Sequence, residues 1–386
     1  MQLTAREAFL QFGHLLQQEL FPHLKEVLGA LSPELELLTA VVSLVPLARL
    51  LDARRSPTGR PPKDRAALAT AFMAKAILNL PDTRHLIARL RVDEALRQVC
   101  GWRTARLPHE SKFSRAFAEF ATTNLAQQLH EAVIQVTQNG RLIGHIARDS
   151  TAISAREHIP EVVMENKRKA KQPKPKRRKG SHPRAKARDR GPRIKRQPHQ
   201  SLEAMLAEIP QHCDLGRKVD SDGHNKSWRG YKLHWDIADG HIPISAVLSS
   251  ASVHDSQLAI PLMTMTSRRV VYLYELMDSA YDADGIHSHS QRMEHVAIIA
   301  PHTRRKTKMP AELREALPGR LTPQLPPAQK DRFQERTMVE RMNARLKNEF
   351  GGNQIRVRGA VKVMAHLMFG IVALTVDQWL RLGKSI

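Results

Sequence analysis

The sequence predicts an α/β protein in which an all-helical N-terminal segment precedes a mixed β-sheet flanked by helices. Apolar residues recur every three or four positions up to about residue 138, which indicates helices, and short apolar strands with a hairpin signal follow. Helical segments separate those strands, so the sheet is expected to carry helices on its faces. With 386 residues and 41% hydrophobic content, the chain is long enough to bury two or three cores.

Residues 1–138 are expected to form a helical N-terminal DNA-binding domain. Apolar side chains at helical spacing run from residue 67 to 78, and Pro81-Asp82-Thr83 begins a further helix. A long helix is predicted near 111–137, ended by Asn139-Gly140. Short helices with Gly or Pro turns are found in helix-turn-helix units that bind DNA and also in ordinary bundles, so both interpretations stay open.

Residues 139–386 are expected to form the second domain, with the mixed sheet. Strands are predicted at 145–149, 231–237, 242–248, 270–277 and 295–300, and helices at 256–267 and 283–293. Asp239-Gly240 marks a tight hairpin turn, because Gly accepts the positive φ that such turns require. Two of the strands end in an acid, Asp149 and Asp278, and Asp255 is expected to cap the helix at 256–267.

A strong basic excess predicts a polyanionic partner, with double-stranded DNA ahead of an anionic membrane. The formal net charge is +23, and residues 166–196 hold 16 Lys and Arg against the single Asp189. Residues 156–225 are therefore expected to be a basic insertion, flexible in isolation, that binds phosphates through side chains such as Lys176, Arg177, Arg178 and Lys179. The alternative is a solvated charged loop.

Several classes of protein are excluded by composition. Cys100 and Cys213 form neither a disulfide framework nor a zinc pattern, which fits a reducing cytoplasm. The N-terminus lacks the basic and apolar segments of a secretory signal. The most apolar stretch, 367–376, has only ten residues and is interpreted as part of a buried helix, too short to span a bilayer. A cytoplasmic protein that does not enter the membrane is expected.

One C-terminal segment places four functionally suggestive side chains on a single helical face. At roughly 100° per residue, Phe333, Arg336, Glu340 and Lys347 fall within about 60° of one another. The same helix carries an apolar stripe of Val339, Met342, Leu346 and Phe350, so it can pack on a core and present Glu340 at the edge. A solvated face with weak charge pairs would give the same pattern.

Three acids could together hold metal ions. Asp149 and Asp278 end apolar strands, where side chains point toward a sheet edge, and Glu340 lies on the late helix. Converging carboxylates repel unless a cation neutralises them, and all-oxygen ligands favour Mg²⁺ or Mn²⁺. Two such ions about 4 Å apart can promote phosphoryl displacement. Alternatively, each Asp only ends a strand and caps a turn.

The chain resembles the DDE transposases of bacterial insertion sequences. The resemblance is carried by the following motifs: Asp149-Ser150-Thr151, Gly230-Tyr231-Lys232-Leu233-His234, Ser252-Val253-His254-Asp255, Asp278-Ser279-Ala280-Tyr281 and, in the N-terminal part, Gly59-Arg60-Pro61-Pro62-Lys63. The family's helix signature is Tyr, two residues, Arg, three residues, Glu, six residues, Lys. It is matched here by Phe333, Arg336, Glu340 and Lys347.

The resemblance implies a ribonuclease H-like domain that nicks transposon ends and joins the freed 3′-hydroxyl to target DNA. It implies that Asp149, Asp278 and Glu340 hold the metals, and that Arg336, Lys347, Phe333 and Lys232 contact DNA. A homodimer is implied because two ends must be brought together. Phe333 lacks the hydroxyl of the usual Tyr, and 301–330 contains no aromatic residue, so the use of a DNA hairpin stays open.

Two alternatives to the transposase remain open at this point. One is a DNA-binding protein of the same fold that has lost catalysis, and the other is a nuclease that cuts without strand transfer. The presence of all three acids favours catalysis over the first. His254 and Asp255 are further candidates to line the site, although helix capping by Asp255 is the simpler explanation.

Overall fold

The computed structural model describes residues 11–12, 14–45, 47–52, 64–165, 192–219, 224–300 and 327–383. Three features named from the sequence lie outside these residues. They are the motif Gly59-Arg60-Pro61-Pro62-Lys63, the basic side chains Lys176, Arg177, Arg178 and Lys179, and residues 301–326 of the segment 301–330.

The described part of the N-terminal segment is helical, as predicted. After a π-helical turn at Leu15–Leu20, the helices are α1 (Phe21–Leu28), α2 (Pro33–Leu44), α3 (Leu47–Asp52), α4 (Arg65–Ile77), α5 (Thr83–Val92), α6 (Glu94–Val99), α7 (Glu110–Thr122) and α8 (Leu125–Gln138). The prediction of one long helix at 111–137 is wrong. Asn124 takes a left-handed φ of 52° between α7 and α8 and breaks the helical path, a conformation that Asn tolerates better than most residues.

The sheet has six strands and is mixed. The strands are β1 (Leu142–Ser154), β2 (Asp214–Val219), β3 (Asn225–Ala238), β4 (Ile242–Ser250), β5 (Val271–Met277) and β6 (Val296–Ile299). Across the sheet, β3 pairs antiparallel with β4, β2 and β1, and β1 continues into parallel pairs with β5 and then β6. Gly240 has a φ of 74° in the turn between β3 and β4, as the Asp-Gly signal predicted.

Two predictions about this half of the chain need correction. Asp149 does not end a strand, because β1 continues to Ser154 along β3. The predicted insertion at 156–225 is not wholly separate from the fold. It includes α9 (Arg193–Arg196), α10 (Leu202–Ala207) and β2, which joins the sheet at the N-terminal part of β3.

Helices cover the sheet and join it to the N-terminal segment. The remaining helices are α11 (Ala259–Ser267), α12 (Asp284–Arg292), α13 (Pro327–Gln334), α14 (Thr337–Asn348) and α15 (Ala360–Gly383). Helix α15 packs against α4, α7, α8 and β4, so one apolar core includes side chains from Leu16 to Trp379.

The apolar stretch at 367–376 is part of a helix of 24 residues, longer than the sequence analysis allowed. Within the described residues it is the one helix long and apolar enough to cross a membrane by length and composition. However, 72% of its most apolar window is buried inside the protein. It is therefore a core helix, as predicted.

Candidate active site

Asp149 and Asp278 lie side by side on neighbouring parallel strands. The last pair between β1 and β5 is Arg148 with Met277, and Asp149 and Asp278 are the residues that follow this pair in the chain. Neighbouring strands lie about 4.8 Å apart, so the two carboxylates occupy the same edge. Asp149 is only 6% exposed, and burial, with a smaller contribution from Asp278, raises its pKa to about 6. Burial also raises the pKa of Asp278.

Asp255 is a third carboxylate close to this pair. Its charge raises the pKa of both Asp149 and Asp278. The expected capping role of Asp255 is wrong, because His254 is the residue whose side chain caps the short 3₁₀ helix Asp255–Leu258 ahead of α11. Asp255 Oδ1 instead accepts a 2.8 Å hydrogen bond from Lys232 Nζ.

Lys232 is a largely buried cation that contacts Asp255, the third of these carboxylates. Its ammonium also donates to the carbonyl of Val253 at 2.8 Å, and its side chain is only 12% exposed. Burial would raise the pKa of the Asp255 carboxyl, but the neighbouring His234 and Lys232 outweigh it, so the pKa is lowered. Asp255 is thus an ionised group beside two carboxyls that burial makes harder to ionise.

The C-terminal segment with the four suggestive side chains is not one continuous helix. Helix α13 ends at Gln334 and α14 begins at Thr337, and a tight turn joins them. Arg336 in this turn contacts two of the other three predicted residues. Its guanidinium lies 5.7 Å from the centre of the Phe333 ring and donates to Glu340 Oε1 at 2.9 Å. Its charge also lowers the pKa of Asp278, against the larger effect of burial.

Helix α14 lies over β1 and β3 and brings polar groups to Asp149. Val339, Met342, Leu346 and Phe350 are buried, as the apolar stripe predicted. Asn343 accepts a 2.9 Å hydrogen bond from the indole of Trp235 and donates to Asp149 Oδ2 at 3.4 Å.

Lys347 and Lys218 add positive charge near the acids. Burial lowers the pKa of Lys347, and the charge of Lys218 lowers it further while that of Asp149 raises it. Lys218, on β2, also lowers the pKa of Asp149 and Asp278, in both cases against the larger effect of burial. Two lysines on different elements therefore flank a pair of carboxylates, an arrangement suited to a phosphate beside a cation.

Comparison with known protein families explains this arrangement. Residues 194–376 match the family described as a transposase DDE domain, and residues 26–119 match a second family described as a transposase domain. Searches of curated proteins and of solved structures gave no match. The chain belongs to the DDE transposases of insertion sequences. Its helical N-terminal segment and mixed open sheet agree with the ribonuclease H-like fold of these proteins.

The DDE match in the transposase begins after β1, so it includes Asp278 and Glu340 but not Asp149. Asp149 enters the site through strand pairing with β5. The match also includes Asp255, Lys232 and Lys218.

Transposases of this family generally use divalent metals, and two of the three predicted ligands fit such an ion. Asp149, which is buried, and Asp278, which is half-buried, supply adjacent oxygen ligands whose charges a hard cation would neutralise. Glu340 does not join them in this conformation, because it is 54% exposed and paired with Arg336. Among the described residues, no group of three or more acidic, His or Cys side chains is arranged to hold a metal.

For three residues of the transposase site, the sequence did not predict the position or the contacts that the structure shows. Lys218 lies on a strand within the predicted insertion, where no apolar run marks it. Asn343 lies on the signature helix but outside the spacing of the family signature. Asp255 was named as a candidate to line the site, with helix capping preferred, and its contact with Lys232 depends on the fold.

Proposed function

We propose that this transposase cuts DNA at the ends of its element and joins the freed 3′-hydroxyl to target DNA. The observation that carries the proposal is the adjacency of Asp149 and Asp278 one position beyond the last β1–β5 pair. Since β1 and β5 run parallel, residues one position beyond their last pair lie next to each other where the pairing ends, and a ligand can reach both side chains there.

Asp149 and Asp278 would hold Mg²⁺ or Mn²⁺, with Glu340 as the third acid. Two divalent ions bound there would promote attack by water or a 3′-hydroxyl and stabilise the leaving oxygen. Asn343 orients the Asp149 carboxylate through a hydrogen bond and is itself fixed by Trp235. Asp255 adds a negative charge close by, which favours binding of a cation.

Arg336 would connect DNA binding with the availability of Glu340. The guanidinium that now holds Glu340 at 2.9 Å is a strong donor to phosphate, and a phosphate of the DNA end can compete for it. Release of Glu340 would let it turn toward Asp278, whose pKa already responds to the Arg336 charge. Phe333, beneath the guanidinium, would orient it by contact with its ring.

The remaining DNA contacts are assigned to cations near the acids and to the basic segment. Lys347 and Lys218 would contact phosphates at the cleaved end, since both lie near Asp149. Lys232 is bonded to Asp255 and would act through that carboxylate more than by direct contact. Lys176, Arg177, Arg178 and Lys179 would bind the backbone elsewhere along the DNA.

The helical segment up to residue 138 would bind DNA outside the cleavage site, and two copies of the chain would hold the two ends. Light scattering of the protein with and without end DNA tests the homodimer. A mass of one chain in the DNA complex contradicts it.

Labelled DNA carrying the element's terminal inverted repeats tests the catalytic proposal. Glu340 and Glu349 offer a matched comparison, because each pairs with an Arg four residues earlier on the same segment, at 2.9 and 2.8 Å. We expect Asp278→Asn and Glu340→Gln to bind DNA normally and to lose Mg²⁺-dependent cleavage by more than about 100-fold. Glu349→Gln should cleave like the native chain.

The same assay separates the three candidate functions. A pre-cut end with a 3′-hydroxyl, incubated with a plasmid target, should be joined by the native chain. Cleavage without joining favours the hydrolytic nuclease. Binding without cleavage in Mg²⁺ or Mn²⁺ favours the inactive DNA-binding protein. Equal cleavage by Glu340→Gln and Glu349→Gln would remove Glu340 from the site.

A further inference from the structure

A second basic site lies between the N-terminal helices and the loop that follows α14. A cavity of about 570 Å³ is bounded by α4, α5 and α7 on one side and by the 351–359 loop and the start of α15 on the other. Cavities of this size accommodate small ligands or a few linked groups of a polymer. It is distinct from the cluster of Asp149, Asp278 and Asp255, since none of these acids lines it.

Lys75 is the most unusual side chain of this cavity. It lines the cavity from the buried face of α4 and is only 7% exposed. Within the described part of the chain, its ammonium has no hydrogen-bond or ion-pair partner. Burial lowers its pKa to about 8, so it is still charged at neutral pH. The charge of Asp82 opposes this effect only in part. A buried ammonium without a hydrogen-bonded counter-ion is costly and is most easily explained by a ligand that supplies the opposite charge.

The acids near Lys75 are already engaged by other groups. Asp82 caps α5 through the amides of Arg84 and His85 and contacts the His85 ring at 2.8 Å. Glu110 accepts a hydrogen bond from Arg84 Nε at 3.2 Å. Neither carboxylate is therefore available as a close partner for Lys75.

The opposite rim of the cavity is basic and exposed. Arg356, Arg358 and Lys362 line it, and no partner for these three side chains exists among the residues that the structure describes. His366 lies behind Lys75. Burial lowers its pKa to about 3, so it is neutral, and its Nε2 donates to the carbonyl of Gly351. Four cations, none of them in an ion pair within the described residues, thus face one cavity, which Asp82 and Glu110 also line.

The rim is also tied to the strand that carries Asp149. Glu157, just beyond the end of β1, accepts a 2.9 Å hydrogen bond from the amide of Gly359 and a 2.8 Å hydrogen bond from Tyr231. The basic loop is therefore fixed relative to the sheet.

We propose that the cavity around Lys75 is a phosphate-binding site, with Lys75 as the buried anchor and Arg356, Arg358 and Lys362 as the outer contacts. The phosphate comes either from a DNA backbone or from a small polyphosphate. The proposal does not depend on the catalytic role of the acids.

Affinity measurements on single variants test this site. Lys75→Met removes the anchor charge at similar volume, and Arg356→Ala/Arg358→Ala removes two outer contacts. Lys112→Met is the matched control, because Lys112 is an exposed cation of α7 that does not line the cavity. Every variant is made in the Asp278→Asn background and measured without divalent ions, so that failure of the catalytic proposal does not affect the result. Thermal melting checks that each variant folds.

Pyrophosphate binding is measured by calorimetry and binding of a DNA duplex by fluorescence anisotropy over a range of salt concentrations. We expect Lys75→Met to weaken binding of at least one probe by about tenfold or more, and Lys112→Met by no more than about twofold. If the phosphate belongs to DNA, Lys75→Met and the double variant lower duplex affinity and reduce the salt slope by about one per lost contact.

A loss confined to pyrophosphate also supports the site and identifies the ligand as a small polyphosphate. The proposal is overturned if Lys75→Met and the double variant bind both probes as tightly as Lys112→Met does. It is equally overturned if the parent chain binds neither probe.

Discussion

Arg148 and Asp236 face each other across β1 and β3 and form a doubly hydrogen-bonded ion pair at 2.8 and 2.7 Å, with no exposed surface on either side chain. Asp236 also accepts a hydrogen bond from Thr266 at 2.7 Å. Arg148 is the residue immediately before Asp149, so the ion pair fixes the register of β1, the strand that carries Asp149. Arg148 also lies 3.9 Å from the buried carboxylate of Glu275, so removal of Asp236 would leave Arg148 with only this longer ion pair.

We therefore expect Asp236→Ala to lower the free energy of unfolding by about 3–5 kcal/mol, as measured by urea denaturation. Arg148→Met/Asp236→Leu/Glu275→Gln removes all three buried charges and should be much closer to the native chain, because Glu275 is not left as a buried charge without Arg148. A triple variant as unstable as Asp236→Ala would show that the cluster contributes more than mutual compensation of its charges.

The Lys232–Asp255 pair should affect metal dependence as well as stability. Asp255→Asn removes a negative charge beside Asp149 and Asp278 and leaves Lys232, 12% exposed, without its carboxylate. We expect a lower stability and a several-fold rise in the Mg²⁺ concentration that gives half-maximal cleavage.

Lys232→Met/Asp255→Asn separates the two effects. It should regain much of the stability, because no buried cation is left unpaired, but it should keep the raised Mg²⁺ requirement. If the double variant regains the native Mg²⁺ requirement, then Asp255 acts only by stabilising the fold.

Local signals in the sequence predicted the elements whose bounds depend on neighbouring residues. Asp239-Gly240 gave the hairpin because Gly240 supplies a positive φ, and the apolar run before Asp278 gave β5. The apolar stripe of α14 was visible at helical spacing, and its members are buried. The Phe333, Arg336 and Glu340 spacing gave a real contact, although the helix breaks between Gln334 and Thr337.

The geometry that brings the site residues together depends on pairing between distant segments, which the sequence does not show. Asp149 lies next to Asp278 because the parallel pairing of β1 with β5 ends one residue earlier, at Arg148 and Met277. Strand β1 itself continues to Ser154 along β3, so the place where the two acids meet is set by the end of β5. Lys218 reaches the acids because β2 pairs with β3, and Asp255 does so because Lys232 binds it. Whether Glu340 completes the metal site remains a prediction.

Arg336 should contribute to DNA binding and to catalysis in different proportions. Arg336→Ala removes one phosphate donor and the charge that lowers the pKa of Asp278. We expect the salt slope of end-DNA binding to fall by about one and cleavage to fall further than binding does. Arg341→Ala is the control, since Arg341 is an exposed arginine of the adjoining helix α14 that contacts His241 and Thr337. Equal losses in the two variants would assign only a general electrostatic role to Arg336.

Lys75 should make the native chain less stable than a variant without the charge. Burial lowers its pKa from 10.5 to about 8, which corresponds to a cost of about 3 kcal/mol when the ammonium is charged in both states. The charged groups that face it are Asp82 and Arg84 from α5, Glu110 from α7, and Arg356, Arg358 and Lys362 from the C-terminal rim, with neutral His366 behind it.

The sign of the pH dependence follows from proton binding. Between pH 8 and 10.5 the unfolded chain holds the Lys75 proton more tightly than the folded chain, so native stability rises with pH in this window relative to Lys75→Met. We expect Lys75→Met to be more stable below pH 8 and to lose that advantage as the pH approaches 10.5. Urea unfolding across this range measures the difference, with Lys112→Met as control. A gain in stability together with loss of phosphate affinity would mean that the buried charge is kept for binding, whereas a Lys75→Met chain less stable at neutral pH would mean that Lys75 is part of the packing.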